Sequence, residues 1–354
     1  MTTSTDVAII GGGVSGLACA LRLRSLEPSL RIKLLEAEPQ LGGKIRGEAV
    51  RGCIVDGGPD LCLSSRLVST AAYNSLGLAS KTIPVNPRSL PTFRRSGNRM
   101  AELADIIGDG LVTFRYGMHE LIRVMTEALD SVDIHRSVQV TAIERTGDDF
   151  LVTTDVPGTV TARAVVAAIP SSALATAVRG LSPALAAALS GIRYDPMTTV
   201  TAGFAARKVQ HPLRGTGYIS GDAMPGGVSA STWTSSKIPS RCSEKVVLIR
   251  GFCRSSDAEA ARSLVLDELR SVLGITADPI FTRAFSWAEA LPVYSPDHGA
   301  TVSRIESEAR ALGAFAIAGA VLHGIGVGDC IASGERAAEL VTAAWRRDSP
   351  TIRS

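Results

Sequence analysis

The sequence lacks the features that mark several large classes of protein. It contains no dense run of Lys and Arg with interleaved aromatics, and its formal net charge is only +3, so a surface that neutralises nucleic-acid phosphates is not evident. No uninterrupted apolar stretch is long enough to span a bilayer, and the first apolar run has neither a preceding basic region nor the continuity of a secretory leader. We therefore expect a cytoplasmic protein without a nucleic-acid partner or a transmembrane segment.

Metal-ligand patterns are missing as well. The cysteines never fall in a C-x-x-C spacing, and no histidine cluster accompanies them, so we expect no bound metal. We interpret all of them as reduced, mostly packed thiols. They are Cys19, Cys53, Cys62, Cys242, Cys253 and Cys330.

The first forty residues have the pattern of a strand, a turn, a helix and a second strand. Val7 to Ile10 is fully apolar, as a strand buried on both faces of a parallel sheet would be, and glycines follow it directly. Apolar residues then recur at helical spacing from Leu17. A second apolar run from Ile32 to Leu35 closes a β-α-β unit of the expected length.

Later segments predict the rest of an α/β fold. Residues 164–169 and 314–318 resemble further buried strands, and a Pro-Gly turn inside 151–161 indicates a hairpin. Residues 197–252 contain alternating positions typical of half-exposed antiparallel strands. Amphipathic helices are predicted for 258–273 and 334–345.

A dinucleotide-binding motif lies between the first strand and the first helix. Gly11, Gly13 and Gly16 form G-x-G-x-x-G, in which the glycines permit the turn, the approach of a pyrophosphate and close helix packing. Val14 and Ser15 begin the helix, whose N-terminus offers free N–H donors to phosphate. A glycine-rich turn in an unrelated α/β protein is the alternative interpretation.

The residues after the second strand narrow the choice of cofactor. Glu36 follows Gly16 by 20 residues, where a carboxylate accepts the ribose hydroxyls of a dinucleotide. Gly42 and Gly43 then form a second glycine pair, followed by the cations Lys44 and Arg46, which we expect to face the same pyrophosphate. A plain NAD dehydrogenase does not need this second pair, so these residues favour FAD.

Here the sequence resembles the flavin amine oxidase superfamily. The run from Leu35 to Arg46 is similar to its second FAD motif, and Val140-x-x-Ile143 to the segment that meets the adenine. Residues 56–59 resemble a loop close to the flavin, and 318–330 the C-terminal flavin motif. The resemblance implies FAD as cofactor and these cofactor-binding residues: Gly11, Gly13, Val14, Ser15, Gly16, Glu36, Ala37, Gly42, Gly43, Lys44, Arg46, Gly57, Gly58, Pro59, Val140, Gly319, Gly326, Val327, Gly328 and Asp329.

The C-terminal motif has a physical rationale of its own. Gly324, Gly326 and Gly328 allow close backbone approach, and Asp329 stands where a helix running to Trp345 would begin. A helix N-terminus directed at the flavin pyrimidine would stabilise the negative charge of the reduced ring. A helix cap behind an unrelated glycine loop is the alternative.

Within the superfamily, the pattern from Gly326 to Ile331 is most similar to protoporphyrinogen oxidase. The same alignment places Gly326 where amine oxidases carry an aromatic cage residue, which disfavours a simple amine oxidase. Relatives of this type carry a long, mostly helical segment that covers the substrate and supports membrane attachment. Here only Ala104 to Phe114 remain, so we expect an open site, or one closed by a second copy or a partner subunit.

Candidate catalytic residues are few, because the flavin itself accepts the hydride. His323 lies in the flavin loop, where it is either a catalytic base or an ordinary hydrogen-bonded loop histidine. Trp287 and Tyr294 either form walls of the substrate pocket or pack in the core. Arg94, Arg95 and Arg99 either hold a substrate carboxylate or form a solvated basic loop.

We thus predict a discontinuous, Rossmann-like FAD-binding domain of the glutathione-reductase-like α/β type, plus a mixed β and α substrate domain. The first comprises 1–66, 130–172 and 310–354, and the second 67–129 and 173–309, with a truncated helical cap near 101–115. The predicted activity is an FAD-dependent oxidase or dehydrogenase of a small molecule, resembling protoporphyrinogen oxidase. The flavin would be reoxidised by O2 or another acceptor. Alternatives are a biosynthetic oxidase of an amine or other small molecule, a flavin-dependent non-redox enzyme, and a partner-dependent flavoprotein subunit.

Overall fold

The fold was determined from a computed structural model, which describes residues 2–86, 90–97, 99–103, 110–221 and 226–348. Within these ranges the strands are, in chain order, β1 (Thr2–Ile10), β2 (Ile32–Leu35), β3 (Gly47–Val50), β4 (Cys53–Asp56), β5 (Cys62–Leu63), β6 (Thr82–Pro84), β7 (Thr92–Ser96), β8 (Arg99–Leu103), β9 (Leu111–Phe114), β10 (Asp133–His135), β11 (Val140–Thr146), β12 (Asp149–Thr154), β13 (Thr159–Ala167), β14 (Tyr194–Ala205), β15 (Gly217–Ser220), β16 (Val228–Thr232), β17 (Val246–Cys253), β18 (Phe281–Pro292) and β19 (Phe315–Ile317). The helices are α1 (Val14–Leu26), α2 (Ser64–Val68), α3 (Ala71–Ser75), α4 (His119–Glu127), α5 (Ser171–Ala177), α6 (Pro183–Ser190), α7 (Thr234–Lys237), α8 (Ala258–Leu273), α9 (His298–Ala311) and α10 (Val327–Asp348).

One sheet is built mainly from parallel strands that lie far apart in the chain. Its order is β10-β2-β1-β13, and β19 pairs with the end of β13, all in parallel register. The hairpin strands β11 and β12 extend it in antiparallel fashion along the first half of β13. The α/β fold with a Rossmann-like unit is therefore confirmed, including the strands expected within residues 164–169 and 314–318.

Helices cover both faces of this first sheet. Val7 and Ile9 pack on the side of α1, α4 and α10, whereas Ala8 and Ile10 pack on the side of α5, α6 and α9. This explains why residues 7–10 of β1 are apolar without alternation, since neither face of that stretch meets water. The loops at the carboxyl ends of β1 and β2 are thereby held at one edge, where ligands bind in folds of this type.

A second sheet has the order β18-β14-β17-β16-β15-β7-β8. The expected antiparallel strands are confirmed, and β14 pairs with β17, but the expectation that these strands are half-exposed was wrong. One face packs against α8 through Val200 and Ile249, and the other packs on the β3–β4 hairpin through Leu248. Both faces are covered because β3 and β4, distant in sequence, fold across the sheet.

The region around the expected helical cap near 101–115 contains strands where it is described. Arg99–Leu103 pairs back on Thr92–Ser96, and Leu111–Phe114 joins β5 and β6 in a small sheet. Residues 104–109 lie outside the described residues. The strands of the first sheet all fall in 1–66, 130–172 and 310–354, which agrees with the proposed domain boundaries, although the boundaries stay a prediction.

The interpretation of every cysteine as a reduced thiol was wrong for one pair. Cys53 on β4 and Cys242 are joined in a disulfide, with their Cα atoms 4.4 Å apart. The partners are separated by 189 residues, so no local spacing in the sequence could indicate the pairing. The other four cysteines are free and buried.

Among the described residues, no helix combines the length and apolarity needed to cross a lipid bilayer.

Candidate functional site

The first glycine loop is shaped by backbone packing. A Cβ atom on Gly16 would lie 1.9 Å from the carbonyl oxygen of Gly11, so no side chain is tolerated there. Gly13 is the N-cap of α1, and no side chain caps that helix. A Cβ on Gly13 would find only the Gly43 Cα, at 3.9 Å. The loop therefore leaves an uncapped helix N-terminus beside open space, which suits a phosphate group.

Glu36 stands at the end of β2, as the motif predicted, and its carboxylate is buried. The Gly12 N–H donates to one carboxylate oxygen at 2.6 Å, and the Glu38 N–H donates to the other at 2.8 Å. Each oxygen keeps lone-pair capacity for a further donor. The carboxylate is thus fixed in place and able to accept ribose hydroxyls.

The second glycine pair lies directly against the first loop. Gly42 bridges Gly13, and its N–H donates to the Gly12 carbonyl at 2.8 Å. Backbone from two motifs that are separated by β2 thus forms one continuous surface. Ala37 lies exposed beside this surface.

The two cations of this motif, Lys44 and Arg46, face different neighbours, although we expected both side chains to face the same pyrophosphate. Lys44 lies near Glu289, Cys330 and the ring of Tyr194, and burial lowers its pKa below the ordinary value, an effect that Glu289 opposes. Arg46 instead donates to Gln40 and borders a cavity of about 320 Å³ beside α4. Lys44 is the cation turned toward the C-terminal motif.

Val140 begins β11 beside the Glu36 loop. The neighbouring Val138 N–H donates to the Glu36 carbonyl at 2.9 Å, and the β11–β12 register shifts directly after Val140. The start of β11 therefore lies beside the Glu36 peptide, and the adenine contact of Val140 stays a prediction.

Residues 56–60, here called the Gly-Gly loop, pack on the second glycine pair. A Cβ on Gly58 would lie 1.8 Å from the Lys44 carbonyl oxygen, and one on Gly57 would lie 2.5 Å from the Phe285 ring. Pro59 is half-buried in the same loop. The loop therefore lies between the second FAD motif and β18.

Buried charges hold both ends of the Gly-Gly loop, and sequence analysis missed this arrangement. Asp56 is 3.0 Å from Arg241, which also donates to the Phe114 carbonyl and the Thr113 hydroxyl. Asp60 is 2.6 Å from Lys237. These partners lie far from the loop in sequence, so only the folded chain brings them together.

The two acids of this cluster respond oppositely to their surroundings. For Asp60, burial works against ionisation, but the positive charges of Lys237 and Arg250 outweigh this effect and lower its pKa to about 2. For Asp56, burial raises the pKa despite the neighbouring Arg241. Asp60 is the more firmly ionised acid.

The C-terminal motif completes the site from the other side. Helix α10 begins at Val327, earlier than the predicted start at Asp329, and Gly334 packs against the Ser15 backbone of α1. The Gly319 N–H donates to the Ser333 hydroxyl at 3.0 Å. Gly326 is exposed and Gly328 packs on Arg66, so the first turn of α10 faces the same edge as the glycine loops.

Tyr294 and Trp287 are brought to this site. The Tyr294 hydroxyl donates to the Ala320 carbonyl at 2.5 Å, its ring stacks on His298, and burial, followed by Cys330, raises its pKa to about 12. Trp287 is two residues from Phe285 on β18, hence on the face that meets Gly57. Its indole N–H is buried and has no hydrogen-bond partner among the described residues.

His323 and the three candidate arginines are, in contrast, exposed or paired with an acidic residue. His323 is exposed, and its Nε2 is 2.7 Å from Glu306 on α9. Arg95 is committed to Glu268 at 2.8 Å, whereas Arg94 and Arg99 are exposed on the β7–β8 hairpin rather than in a loop.

These residues fit FAD. An uncapped helix N-terminus beside open space suits a pyrophosphate, a fixed buried carboxylate suits the ribose, and the half-buried Lys44 adds a positive charge. The start of α10 lies on the same edge, where it could meet the flavin ring.

Comparisons with known proteins point in the same direction. A model of the family described as flavin-containing amine oxidoreductase matches residues 92–342, and a model of an NAD(P)-binding Rossmann-like domain matches residues 9–73. A coproporphyrinogen III oxidase of Bacillus subtilis is 23% identical over 455 residues, which covers 94% of this chain and 96% of the relative. The coproporphyrinogen III oxidase of Mycobacterium tuberculosis is 24% identical and covers 97% of this chain and 98% of its own length.

A solved structure from Exiguobacterium, a proposed protoporphyrinogen oxidase, superimposes with a TM-score of 0.84 at 20% identity and covers 98% of this chain and 100% of that one. The alignment with the Bacillus protein spans 455 positions although this chain has 354 residues, so the relative carries on the order of a hundred residues that this chain lacks.

Proposed function

Because the chain belongs to the family of flavin-containing amine oxidoreductases, we propose that it oxidises a porphyrinogen, with coproporphyrinogen III as the first candidate. It is an FAD-dependent oxidoreductase with a small-molecule substrate. The observation that carries the choice of substrate is the match along nearly the whole chain to coproporphyrinogen III oxidases.

The residues described above divide the work of holding the cofactor. The first turn of α1 would donate backbone N–H groups to the pyrophosphate, Glu36 would accept from the ribose, and Lys44 would supply positive charge. FAD held there would supply the hydride acceptor for oxidation of a C–H group next to nitrogen or a conjugated ring. The N-terminus of α10 would stabilise negative charge at the flavin ring.

Trp287 and Tyr294 form walls of the substrate pocket in this proposal. A flat, apolar macrocycle packs well against aromatic faces, and the indole N–H of Trp287, which is buried and unpartnered among the described residues, would find its acceptor in a bound substrate. We give His323 no catalytic part, because its ring is exposed and paired with Glu306.

Substrate turnover tests the proposal. Purified protein is supplied separately with coproporphyrinogen III, protoporphyrinogen IX and a panel of amines, while oxygen uptake and porphyrin fluorescence are recorded. We expect oxidation of a porphyrinogen and none of the amines. Oxidation of amines alone would overturn the substrate, and net-neutral conversion or complete inactivity of the FAD-loaded protein would favour the non-redox or partner-dependent alternatives.

Trp287→Phe sharpens this test because it retains the aromatic wall and removes the N–H group. We expect kcat/KM for the porphyrinogen to fall about five- to tenfold, as for one lost hydrogen bond, with FAD affinity unchanged. Trp345, which is half-buried near the end of α10 and packs on the other core cluster, supplies the control Trp345→Phe.

We also propose that the shortened segment after residue 103 leaves the site open and that a second copy or another subunit closes it. Exposed apolar side chains near the C-terminal flavin loop, Leu63, Tyr294 and Ile325, support this idea. Light scattering of the purified protein, with and without substrate, tests it. The cytoplasmic location is likewise a proposal, which cell fractionation tests.

A further inference from the structure

The guanidinium of Arg250 on β17 contacts the middle of the Gly-Gly loop. Its Nη2 donates to the Gly57 carbonyl at 2.9 Å and to the Gly58 carbonyl at 2.5 Å, and the Arg250 side chain is almost wholly buried. Thr199 on β14 donates to the same Gly57 carbonyl at 2.6 Å. Two strands of the second sheet therefore hold two consecutive peptide carbonyls of a loop that belongs to the other half of the chain.

We propose that Arg250, supported by Asp60 and Lys237, is a positioning residue that fixes the Gly-Gly loop against Lys44 and so sets the affinity for FAD. This inference rests on FAD binding and not on the porphyrinogen substrate.

Steric contact transmits the position of the loop to the second FAD motif. Gly58 lies so close to the Lys44 carbonyl that even a Cβ atom would overlap it. A shift of the loop therefore displaces the peptide of Lys44 or opens a gap beside it. Lys44 is the cation that faces the C-terminal motif, so its displacement changes the charge presented to the cofactor.

The charges of the cluster explain how a buried cation is held beside the loop. Asp60 is paired with Lys237 at 2.6 Å and lies farther from Arg250, at 3.6 Å. Arg250 therefore donates its hydrogen bonds to the loop carbonyls rather than to Asp60, while Asp60 provides the compensating charge. Both carbonyls accept from the same nitrogen, Nη2, so a lysine ammonium, which carries three donors on one nitrogen, can replace part of this contact.

The test uses Arg250→Met and Arg250→Lys. We measure the FAD dissociation constant by flavin fluorescence, the visible spectrum of the bound flavin, and thermal unfolding of the apoprotein and holoprotein. We expect Arg250→Met to weaken FAD binding by roughly ten- to a hundredfold, as for lost charge-assisted hydrogen bonds, and Arg250→Lys to recover part of that loss. A buried methionine removes the charge without leaving a cavity, so the apoprotein remains folded.

Arg283→Met is the matched control. Arg283 on β18 also joins the second sheet to the segment after the second FAD motif, through Glu48 at 2.7 Å, but these side chains are 42% and 40% exposed, unlike Arg250. We expect its FAD affinity to stay within about twofold of wild type.

Three results would overturn the inference. These are Arg250→Met binding FAD within about twofold of wild type, Arg250→Lys binding no better than Arg250→Met, or weakened binding explained entirely by unfolding of the apoprotein. Because all readouts precede substrate turnover, a wrong porphyrinogen assignment would leave them unchanged.

Discussion

Two glycine loops approach the cofactor site, and they are held in different ways. The first, Gly11 to Gly16, is fixed by its own backbone and by the helices packed on it. The second, the Gly-Gly loop, is fixed by side chains of Lys237, Arg241 and Arg250, which lie on β17 and on the segment between β16 and β17. The first loop is held by backbone contacts, including those with Ala168 and Gly334, whereas the second is held by buried charged side chains.

This difference shows where FAD binding depends on the substrate half of the chain. A substitution in the first loop disturbs mainly the β1-α1-β2 unit. A substitution of the buried charged residues weakens the contact between the two sheets that meet at the Gly-Gly loop. The following changes should distinguish these two kinds of support.

The largest expected effect comes from Asp60→Asn. It leaves Lys237 and Arg250 buried without their carboxylate, which destabilises a fold by about 3–5 kcal/mol. Because Asp60 is held at a folded pKa of about 2, its contribution is complete above the unfolded value of about 3.9 and is lost as pH falls toward 2. Denaturant unfolding from neutral to acid pH should show the difference between wild type and variant shrinking across that window.

Asp60→Asn combined with Lys237→Met restores the charge balance of the pair and should recover part of the stability. An equal loss in single and double variants would contradict a charge-held loop.

Gly16→Ala tests the backbone-held loop. The new Cβ overlaps the Gly11 carbonyl, and strain of about 1–3 kcal/mol should lower FAD affinity by roughly ten- to a hundredfold. Gly180→Ala, at an exposed position where the added atom meets only ordinary contacts, should bind FAD as wild type does. FAD affinity is measured by titration for both variants. Equal affinities would contradict the steric explanation for Gly16.

A smaller effect is expected for Glu36→Gln. The amide places an N–H₂ group against one of the two backbone donors and removes a charge, which should cost about 1–2 kcal/mol in FAD binding, or roughly tenfold. Glu38→Gln is the exposed control, and calorimetric titration with FAD compares them. Equal affinities in all three proteins would exclude Glu36 as a ribose ligand.

The smallest effect is expected for His323→Gln, which lies outside both loops. Its ring meets Glu306 at the surface, so turnover and FAD affinity should stay within about twofold of wild type. A loss of kcat with intact FAD binding would restore His323 as a catalytic base.

The sequence predicted what short-range patterns encode. Helix α8 begins and ends where its pattern indicated, because Asp257 caps its N-terminus and Gly274 adopts the left-handed conformation that ends it. Spacing alone placed Glu36 at the end of β2 and the first glycine loop before α1, whereas the Gly-Gly loop was indicated by the family resemblance.

What the sequence could not predict depends on contacts between distant segments. Cys53 with Cys242, and Asp60 with Lys237, are separated by 189 and 177 residues. The burial of both faces of β17 has the same origin, since the β3–β4 hairpin covers Leu248 from far along the chain.

Anaerobic reduction of the bound flavin tests the central claim most directly. The FAD-loaded protein is mixed with coproporphyrinogen III without oxygen, and the visible absorption of the oxidised flavin is followed. The account predicts that the oxidised band bleaches and returns when air is admitted. A protein that binds FAD but keeps its oxidised band in the presence of porphyrinogens would contradict it.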